Sequence, residues 1–427
     1  MTGTRTTAGK PGKRGNRKAQ LAAVAAELFR ARGYHEVGVT DIAAAAGVTG
    51  PAIYRHFSDK QDMLGHIVLC GLDELVEATD EVLATGGTPS PERVDALLAT
   101  LARLAVERRE LTALWRTQRR HLRQEDHAAL RERATLLYRT WTQTLRTLRP
   151  ELADSEAELL CFAAMSVFGS ASVHATRIAK GRFQSLLAER ARAVLHCELP
   201  PVDAGTLTGA ATGLDAEPQV LRASRREQLI TEAGRLFQER GFHEVNMDEI
   251  GAAAGISGPS VYRHFPSKAA LFMAVSQRVA DRLEHGRQQV SHTAADEADA
   301  LRGLAASYVD TMVNHADLLA VGQQMSALSE AERAELRRIQ RDYVGEWVRL
   351  LGTVRPERDT SANRVVVHAA LTIANDLLRA RRVTARPWVR AELVTLMATA
   401  LGLPDPASPT YAAGNRTDNF SSPERST

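Results

Sequence analysis

Aromatic residues, cysteines and long apolar runs are scarce in this chain of 427 residues. Aromatics supply only 5% of the residues, whereas Ala, Leu, Arg and Glu are abundant, and this composition favours helices over sheets. The three cysteines, Cys70, Cys161 and Cys197, have neither the close pairing of a zinc site nor the even count of a disulfide framework. No run of about eighteen apolar residues and no apolar leader occurs, which gives no support to membrane spanning or export. We therefore expect a cytoplasmic protein with reduced cysteines and no membrane contact.

Sequence motifs of catalysis and metal binding are missing as well. We find no nucleophile motif, no glycine-rich phosphate loop and no histidine or cysteine cluster with metal-ligand spacing. An enzyme would require a convergent acid, base or metal site that the sequence does not display. We predict no catalytic residues, no metal ion and no cofactor.

Positive charge is small in total but concentrated near the N-terminal end. The net charge is +3, and residues 1–60 contain ten Lys or Arg against four Asp or Glu, a local balance of +6 that leaves −3 for the rest. A basic front on a nearly neutral body is suited to contacting a polyanion at one end. The alternative interpretation is a basic tail that only improves solvation.

An internal repeat organises the chain. The segment AELFRARGYHEVGVTDIAAAAGVTGPAIYRHFSDK at 26–60 returns as GRLFQERGFHEVNMDEIGAAAGISGPSVYRHFPSK at 234–268, shifted by 208 positions, with roughly half of the residues identical. Trp141 and the Arg-Pro-Glu at 149–151 return at Trp347 and 355–357, shifted by 206. Apolar residues recur at three and four positions within both copies, and no alternating strand pattern is bounded by hairpin turns. We predict an all-α fold of two fused units.

The best-preserved part of each copy has the pattern of a helix-turn-helix (HTH). In the first copy a helix at about Arg17–Arg32 ends at Gly33. Thr40 is the candidate N-cap of a short alanine-rich helix that stops at Gly47, and Thr49 is the cap of a second short helix. The second copy has its first helix at about Arg222–Arg240, followed by Gly241, Asp248, Gly255 and Ser257 at the same places. Two short helices joined by a glycine turn are typical of DNA-binding proteins.

The second short helix carries the candidate contacts. Its helical period places Ile53 and Phe57 inward and Tyr54 and Arg55 outward. Arginine can contact guanine or phosphate, and tyrosine hydroxyls commonly bond phosphate. Lys60 follows in the first turn of the next helix, where the helix dipole disfavours a cation unless a phosphate is bound nearby. We predict that double-stranded operator DNA is the partner.

Both copies resemble the DNA-binding region of the TetR family of bacterial regulators. They match nearly completely its pattern of Thr, Ile-Ala, Ala-Gly-Val-Ser, Tyr-Arg-His-Phe and a following Lys. The resemblance implies a three-helix DNA-binding domain and a larger helical ligand-binding and dimerisation domain in each unit, and repression that a small-molecule effector relieves. The expected parts are a disordered basic tail (1–15), the first HTH domain (16–62), the first bundle (63–198), a linker (199–220), the second HTH domain (221–270), the second bundle (271–403) and a disordered tail (404–427).

Contact roles follow from position in the family pattern. The resemblance implies phosphate contacts by Thr40, Thr49, Tyr54, His56 and Lys60, and places Gly50, Pro51, Ala52 and Arg55 near base edges. The corresponding set in the second copy is Ser257, Gly258, Pro259, Ser260, Tyr262, Arg263, His264 and Lys268. One departure is Asp248, where the family favours Thr, because a carboxylate repels phosphate; residues 222–268 also hold seven basic against six acidic side chains. We predict that the second HTH domain binds DNA more weakly.

Candidate ligand-pocket residues lie on the apolar helices of the two bundles. In the first bundle they are Trp115, Trp141, Phe162, Met165 and Phe168, and in the second they are Met312, Gln323, Met325, Trp347, His368 and Asn375. Core packing is the more common role for each apolar member. Gln323 and Asn375 need polar partners, which could be a ligand, water or neighbouring backbone.

The resemblance also implies dimerisation through the last two helices of each unit, here at 154–197 and 360–401. Two HTH domains would then reach major-groove faces about 34 to 36 Å apart. We favour an intramolecular pseudo-dimer over a homodimer, because a linker of about twenty residues spans about 60 Å when extended. The main alternative is a helical sensor or interaction protein in which only the first HTH domain, or neither, binds DNA; an enzyme is the third.

Overall fold

Helices joined by turns form the part of the chain that can be described. The computed structural model describes residues 13–84, 89–200, 224–314 and 328–404, without the side chains at 13–16, 84, 115, 117 and 120. No strand occurs in these ranges, and the all-α prediction is confirmed. Most of the predicted tails and linker lies outside the described residues. The first helix begins at Lys13, inside the predicted basic tail.

The two units have closely similar helix orders. The first contains α1 (Lys13–Arg32), α2 (Val39–Ala45), α3 (Gly50–Ile53), α4 (Lys60–Ala84), α5 (Pro91–Glu107), α6 (Arg109–Gln118), α7 (Gln124–Leu148), α8 (Asp154–Gly169) and α9 (Lys180–Leu195), with 3-10 turns at Arg119–His121 and Ser170–Ser172. The second contains α10 (Arg225–Arg240), α11 (Met247–Ala253), α12 (Gly258–Val261), α13 (Lys268–Thr293), α14 (Glu297–Asn314), α15 (Glu330–Val354), α16 (Thr360–Leu378), α17 (Arg381–Thr384) and α18 (Val389–Leu401).

The repeated Arg-Pro-Glu motif closes the last helix of each unit. Arg149 Nη1 donates to the carbonyls of Leu195 at 2.8 Å and Cys197 at 3.1 Å, and Arg355 Nε donates to the carbonyl of Gly402 at 2.8 Å. These carbonyls lie at the C-terminal ends of α9 and α18, where the helix leaves acceptors without internal partners and favours a cation. The motif therefore returns in both units because it performs the same structural role in each.

The units pack against each other through α8 and α9 of the first and α16 and α18 of the second. Both α8 and α16 are buried around most of their circumference, as expected for helices that pack on their own bundle and on a second one. Polar contacts also cross between the units. Cys197 Sγ lies 3.2 Å from Thr399 Oγ1, and Arg386 Nη1 donates to the Ser155 carbonyl at 3.1 Å. One continuous apolar core joins the first unit to the second bundle, whereas the second HTH domain has a separate core.

Two histidines meet between the units. The rings of His174 and His368 stack with their centroids 4.5 Å apart and their planes 18° apart. Burial lowers the pKa of His174 to about 2 and that of His368 to about 4, and the charge of Arg364 acts in the same direction on both. The candidate ligand-pocket residue His368 is therefore placed against the other unit.

We expect acidification to destabilise the chain through these two histidines. Both pKa values are lower in the folded chain than the value of about 6.5 expected after unfolding, so below that pH the unfolded chain takes up protons that the folded chain does not bind. The stability they contribute is complete above about pH 6.5 and is lost as the pH falls to about 4 for His368 and to about 2 for His174, by up to about 1.4 kcal/mol per pH unit for each ring. Thermal unfolding at about pH 7.5 and about pH 5 measures the loss. The His174→Gln/His368→Gln variant should lose less, and an equal fall of Tm in both proteins would contradict this assignment.

Candidate nucleic-acid interface and adjoining cavity

Apolar anchors hold the second short helix of each HTH domain and the turn that follows it. The predicted helix is too long: α3 and α12 end at Ile53 and Val261, and the tyrosine, arginine and histidine that follow lie in the turn. Ile53 and Phe57 are each 1% exposed, and their counterparts Val261 and Phe265 are 0% and 3% exposed. The turn before each helix contains a glycine with a positive φ angle, a backbone conformation that residues with side chains rarely adopt. The angle is +63° at Gly47 and is also positive at the corresponding glycine of the second copy. These anchors and turns determine which side chains of the helix remain outside.

The recognition segments, residues 49–57 and 257–265, present matching polar faces. Tyr54 is 58% exposed and Tyr262 55% exposed, although large aromatic side chains are usually buried. Arg55 and Arg263 follow and are exposed too. The other predicted contacts of these segments are exposed or half-buried: Thr49, Gly50, Pro51, Ala52, His56, Ser257, Gly258, Pro259, Ser260 and His264. Each segment thus brings its predicted contacts together on a short stretch of accessible surface.

The predicted caps of the preceding helices are wrong by two residues. Helix α2 has Gly38 at its N-cap, with the Gly38 amide donating to Asp41 Oδ2 at 2.7 Å. Helix α11 has Asn246, which forms a reciprocal capping box with Glu249 at 2.9 Å in both directions. Thr40 and Asp248 therefore lie in the first turn and are exposed. Local sequence rules missed this because each segment offers several good capping residues in a row.

The Asp248 carboxylate lies against the start of the second recognition segment. A β-carbon on Gly258 would collide with that carboxylate and would lie 3.4 Å from the Asp248 Cα atom. The equivalent Gly50 in the first copy has no atom within 4 Å of the same position. A carboxylate therefore lies against the first-turn glycine of the second recognition segment, whereas Gly50 in the first has no such neighbour. The sequence pointed to Asp248 as a departure, but only the fold shows which residue it adjoins.

The two lysines have the same hydrogen-bond partners in both copies, and these partners contradict the argument that each lysine needs a phosphate. Lys60 Nζ donates to the carbonyls of Tyr34 at 2.7 Å and Val37 at 2.9 Å, and it lies 4.3 Å from the centre of the Tyr34 ring. Lys268 makes the equivalent bonds to Phe242 and Val245 at 2.7 and 2.8 Å. Burial lowers the pKa of both ammonium groups. The argument that these lysines require a bound phosphate is wrong, because backbone carbonyls already serve as partners.

Replacing Lys60 by Met should destabilise the first HTH domain by about 1 to 3 kcal/mol, because two carbonyls lose a charged donor. Thermal unfolding without DNA measures this. Lys180→Met is the matched control, since Lys180 is 60% exposed and makes only a surface ion pair with Glu107. A Tm equal to that of the unaltered chain would restore the phosphate-only interpretation of Lys60.

The two HTH domains touch at the loops that follow their first helices. The rings of His35 and His243, which occupy equivalent positions in the two copies, lie 4.4 Å apart between centroids. His121 of the first bundle lies against His35 at 4.5 Å and stacks on Tyr34 at 5.0 Å. The two recognition segments are therefore carried by domains that adjoin each other.

A cavity of about 770 Å³ lies beside the HTH domains and is lined by both units. Phe162, Met165 and Phe168 of α8 line it, as does Met312 of α14. Its size is within the range of small-molecule sites in proteins. The sequence predicted these apolar lining residues individually but not their meeting in one space.

Other candidate ligand-pocket residues have structural roles instead. Trp141 is buried and its Nε1 donates to Thr79 Oγ1 at 3.4 Å. Trp347 is 0% exposed and packs edge-on against Tyr308. Asn375 Oδ1 accepts a hydrogen bond from the Tyr308 hydroxyl at 2.9 Å, so its polar partner is a neighbouring side chain. Predictions for the Trp115 side chain and for Gln323 and Met325 fall outside the described residues.

The arginines on the cavity wall were not predicted from the sequence. The lining contains six arginines against three carboxylates; the arginines are Arg108, Arg116, Arg119, Arg240, Arg379 and Arg381, and the acids are Glu74, Glu239 and Asp376. Arg116 of α6 forms an ion pair with Asp376 of α16, across the two units, and Arg379 pairs with the same carboxylate at 3.2 Å. Nothing in the sequence brings residues 116 and 376 together, so no local pattern could have identified this cluster.

Comparison with known proteins agrees with the geometry. The sequence profile of "Bacterial regulatory proteins, tetR family" matches residues 21–67 and again residues 229–275. The HTH-type transcriptional repressor KstR2 of Mycolicibacterium smegmatis is 31% identical over 146 residues, which are 32% of this chain and 71% of KstR2. The chain belongs to the TetR family of bacterial regulatory proteins.

Further TetR-family relatives match smaller parts. The HTH-type transcriptional activator FasR of Mycolicibacterium smegmatis is 42% identical over 89 residues, which are 21% of this chain and 41% of FasR, so the match spans less than half of that relative. The solved structure of the ketosteroid transcriptional regulator KstR2 of Mycobacterium tuberculosis covers 43% of this chain and 95% of its own, with 20% identity and a TM-score of 0.37. Within the described ranges, no helix is long and apolar enough to cross a membrane.

Proposed function

We propose that this TetR-family chain is a DNA-binding transcription regulator of the bacterial cytoplasm with two DNA-binding domains in one polypeptide. The observation that supports it most directly is the exposed Tyr-Arg pair at 54–55 and again at 262–263, held outward by buried anchors. Exposed tyrosine and arginine side chains at the end of a short helix can supply phosphate and base-edge contacts to a major groove. The contacts named above for the recognition segments, together with Thr40, form the proposed DNA interface.

The proposed arrangement is an intramolecular pseudo-dimer. Its support is the packing of α8 and α9 on α16 and α18, together with the contact between His35 and His243. Because the two copies differ in sequence, the two half-sites of the operator need not be identical. A regulator of this kind would be active as a single chain and would not require a second copy to complete the DNA-binding unit.

A small effector is the proposed signal, and the cavity between the units is its proposed site. Occupation of the cavity would favour an arrangement of the HTH domains that no longer fits the operator, so that the ligand releases the repressor. A ligand can shift the equilibrium only through unequal affinity for the two arrangements, which makes DNA and effector mutually antagonistic.

A second candidate function is a sensor in which only the first HTH domain binds DNA. The Asp248 carboxylate beside Gly258 favours it, because a negative charge at this position would face the phosphates at the second recognition segment, where the first has Thr40. The two candidates differ in how many phosphates the chain neutralises and so in the salt dependence of binding.

Mobility shifts with fragmented genomic DNA at low salt test the proposal. We expect retention of a subset of fragments by the full chain and loss of retention in the Tyr54→Ala/Arg55→Ala variant. Arg341→Ala, which removes an exposed arginine from α15 in the second bundle, is the control for overall charge. Equal retention of every duplex and of a neutral polymer would refute DNA recognition.

A further inference from the structure

The cavity between the units has a polar end where arginines outnumber carboxylates among the described lining residues. Arg116 and Arg379 share the carboxylate of Asp376, and the positive charge of Arg119 acts on Arg379. Two guanidinium groups thus share one carboxylate, and the charge of a third, that of the exposed Arg119, acts on Arg379, whose pKa is also lowered by burial. A partly buried excess of positive charge is stabilised by an anion that enters beside it.

Gly169 leaves room at this point because it has no side chain. A β-carbon on Gly169 would lie 3.1 Å from Arg116 Nη1 and 3.6 Å from Asp376 Oδ2. The counterpart of Gly169 in the second unit is Asn375, whose side chain is bonded to Tyr308. The two bundles therefore differ in their interiors: the first keeps an open cavity wall where the second, in its described part, is filled by aromatic and amide side chains.

Another part of the cavity wall, on the first unit, is apolar. Leu72, Leu75, Leu104, Phe162 and Met165 line it from α4, α5 and α8. A ligand complementary to both regions has an anionic head and an apolar body. Such a ligand would lie in a space of about 770 Å³ and would replace water at apolar side chains while its head meets guanidinium groups.

The cavity also reaches the second DNA-binding domain directly and the first one through α4. Its wall includes Val68 and Leu72 of α4, the helix that begins at Lys60 and is tied by that lysine to the first HTH domain. It also includes residues 238–241, the end of the first helix of the second HTH domain. One occupant would therefore touch elements that position both recognition segments.

We propose that a single amphipathic anion binds each chain in this cavity, with its head at Arg116, Arg119 and Arg379 and its body against α4, α5 and α8, and that it contacts the second HTH domain directly and the first through α4. The coupling to DNA rests on the proposed function, whereas the binding of the anion does not. The fused chain thus has one effector site for two DNA-binding domains.

Titration calorimetry of the full chain, without DNA and below the micelle concentration, tests the ligand class. The probes are dodecanoate, dodecyl phosphate, 1-dodecanol and dodecyltrimethylammonium. We expect one site per chain, with at least one of the two anions bound about tenfold more tightly than the alcohol or the cation. The stronger of the two anions identifies a carboxylate or a phosphate head. Equal affinity for anion and alcohol, or two sites per chain, would overturn the proposal.

Variants locate the site. Arg119→Ala should lower the affinity for the anion about tenfold and leave the affinity for 1-dodecanol unchanged. Arg341→Ala, outside the cavity, should change neither affinity. Met165→Trp should remove binding of anion and alcohol together by filling the apolar part. Because a bulky substitution could disturb folding, circular dichroism accompanies it. Full anion binding by a folded Met165→Trp chain, or by Arg119→Ala, places the ligand elsewhere.

Hydrogen exchange tests the contact with α4 and with the second HTH domain. We expect the bound anion to protect amides at 68–75 and at 238–241, and protection of the first unit alone would overturn the contact with the second HTH domain. Duplex binding is measured separately, without any anion. A chain that binds the anion but no duplex would refute the proposed function and leave this site standing, whereas a chain that binds a duplex but no anion would do the opposite.

Discussion

Replacing Thr40 by Asp is expected to weaken duplex binding by about five- to thirtyfold, equivalent to about 1 to 2 kcal/mol. The substitution gives the first HTH domain the carboxylate that the second already has at Asp248, beside the first glycine of the recognition segment. At about 5 to 6 Å and an effective dielectric constant of about 20, two like charges repel by about 3 kcal/mol, which exposure to solvent and salt reduces.

Folding should not be affected by this change. Thr40 is exposed in the first turn of α2, and an acidic residue is favoured there by the helix dipole. Fluorescence anisotropy with a duplex retained in the mobility shifts measures the affinity, and Thr40→Asn is the matched control because it has the size of aspartate without its charge. The reverse change, Asp248→Thr, should tighten binding by a similar factor. Equal affinities for the Asp and Asn variants would show that position 40 lies away from the phosphates.

The dependence of affinity on salt should show how many HTH domains touch DNA. If each domain neutralises about four phosphates, the slope of log affinity against log salt concentration is about −7 for the unaltered chain. The Tyr262→Ala/Arg263→Ala variant should reduce that slope to about −4, because only the first domain then remains engaged. This pair is preferable to any variant of Lys268, whose ammonium bonds backbone carbonyls and whose loss would disturb folding.

The corresponding variant of the first domain, Tyr54→Ala/Arg55→Ala, completes the comparison. A larger loss of affinity is expected from it than from the second-domain variant, because the Asp248 carboxylate beside Gly258 is expected to weaken binding by the second domain. Arg341→Ala is again the control for net charge. A slope unaltered by Tyr262→Ala/Arg263→Ala would leave the sensor with a single DNA-binding domain as the better account.

Features governed by neighbours along the chain could be predicted from the sequence. The inward and outward faces of the recognition segments follow from the period of the helix, and the turn at Gly47 follows from the conformational freedom of glycine. Boundaries were less accurate: the N-caps lie two residues before Thr40 and Asp248, since adjacent residues compete for the same position. The repeat itself identified two units because duplicated residues preserve duplicated contacts.

Features governed by residues distant in sequence could not be predicted in this way. The sequence predicted a phosphate partner for Lys60, because the two carbonyls that accept its hydrogen bonds lie more than twenty positions away along the chain and no local pattern indicates them. The pairing of Arg116 with Asp376 joins two units. Trp347 and Asn375 were predicted as ligand contacts, but in the structure both contact Tyr308 of the same bundle.

By itself, then, the sequence determined the helical class, the duplication, the TetR-like DNA-binding motif and the outward side chains of its recognition segments, because each depends on spacing within a few turns of one helix. Only the tertiary structure decided that the two lysines are structural, that Asp248 adjoins Gly258, and that a cationic cavity is shared by both units. Those features depend on which helices pack together, and packing is decided by the burial of apolar surface across the whole chain, which local spacing does not encode.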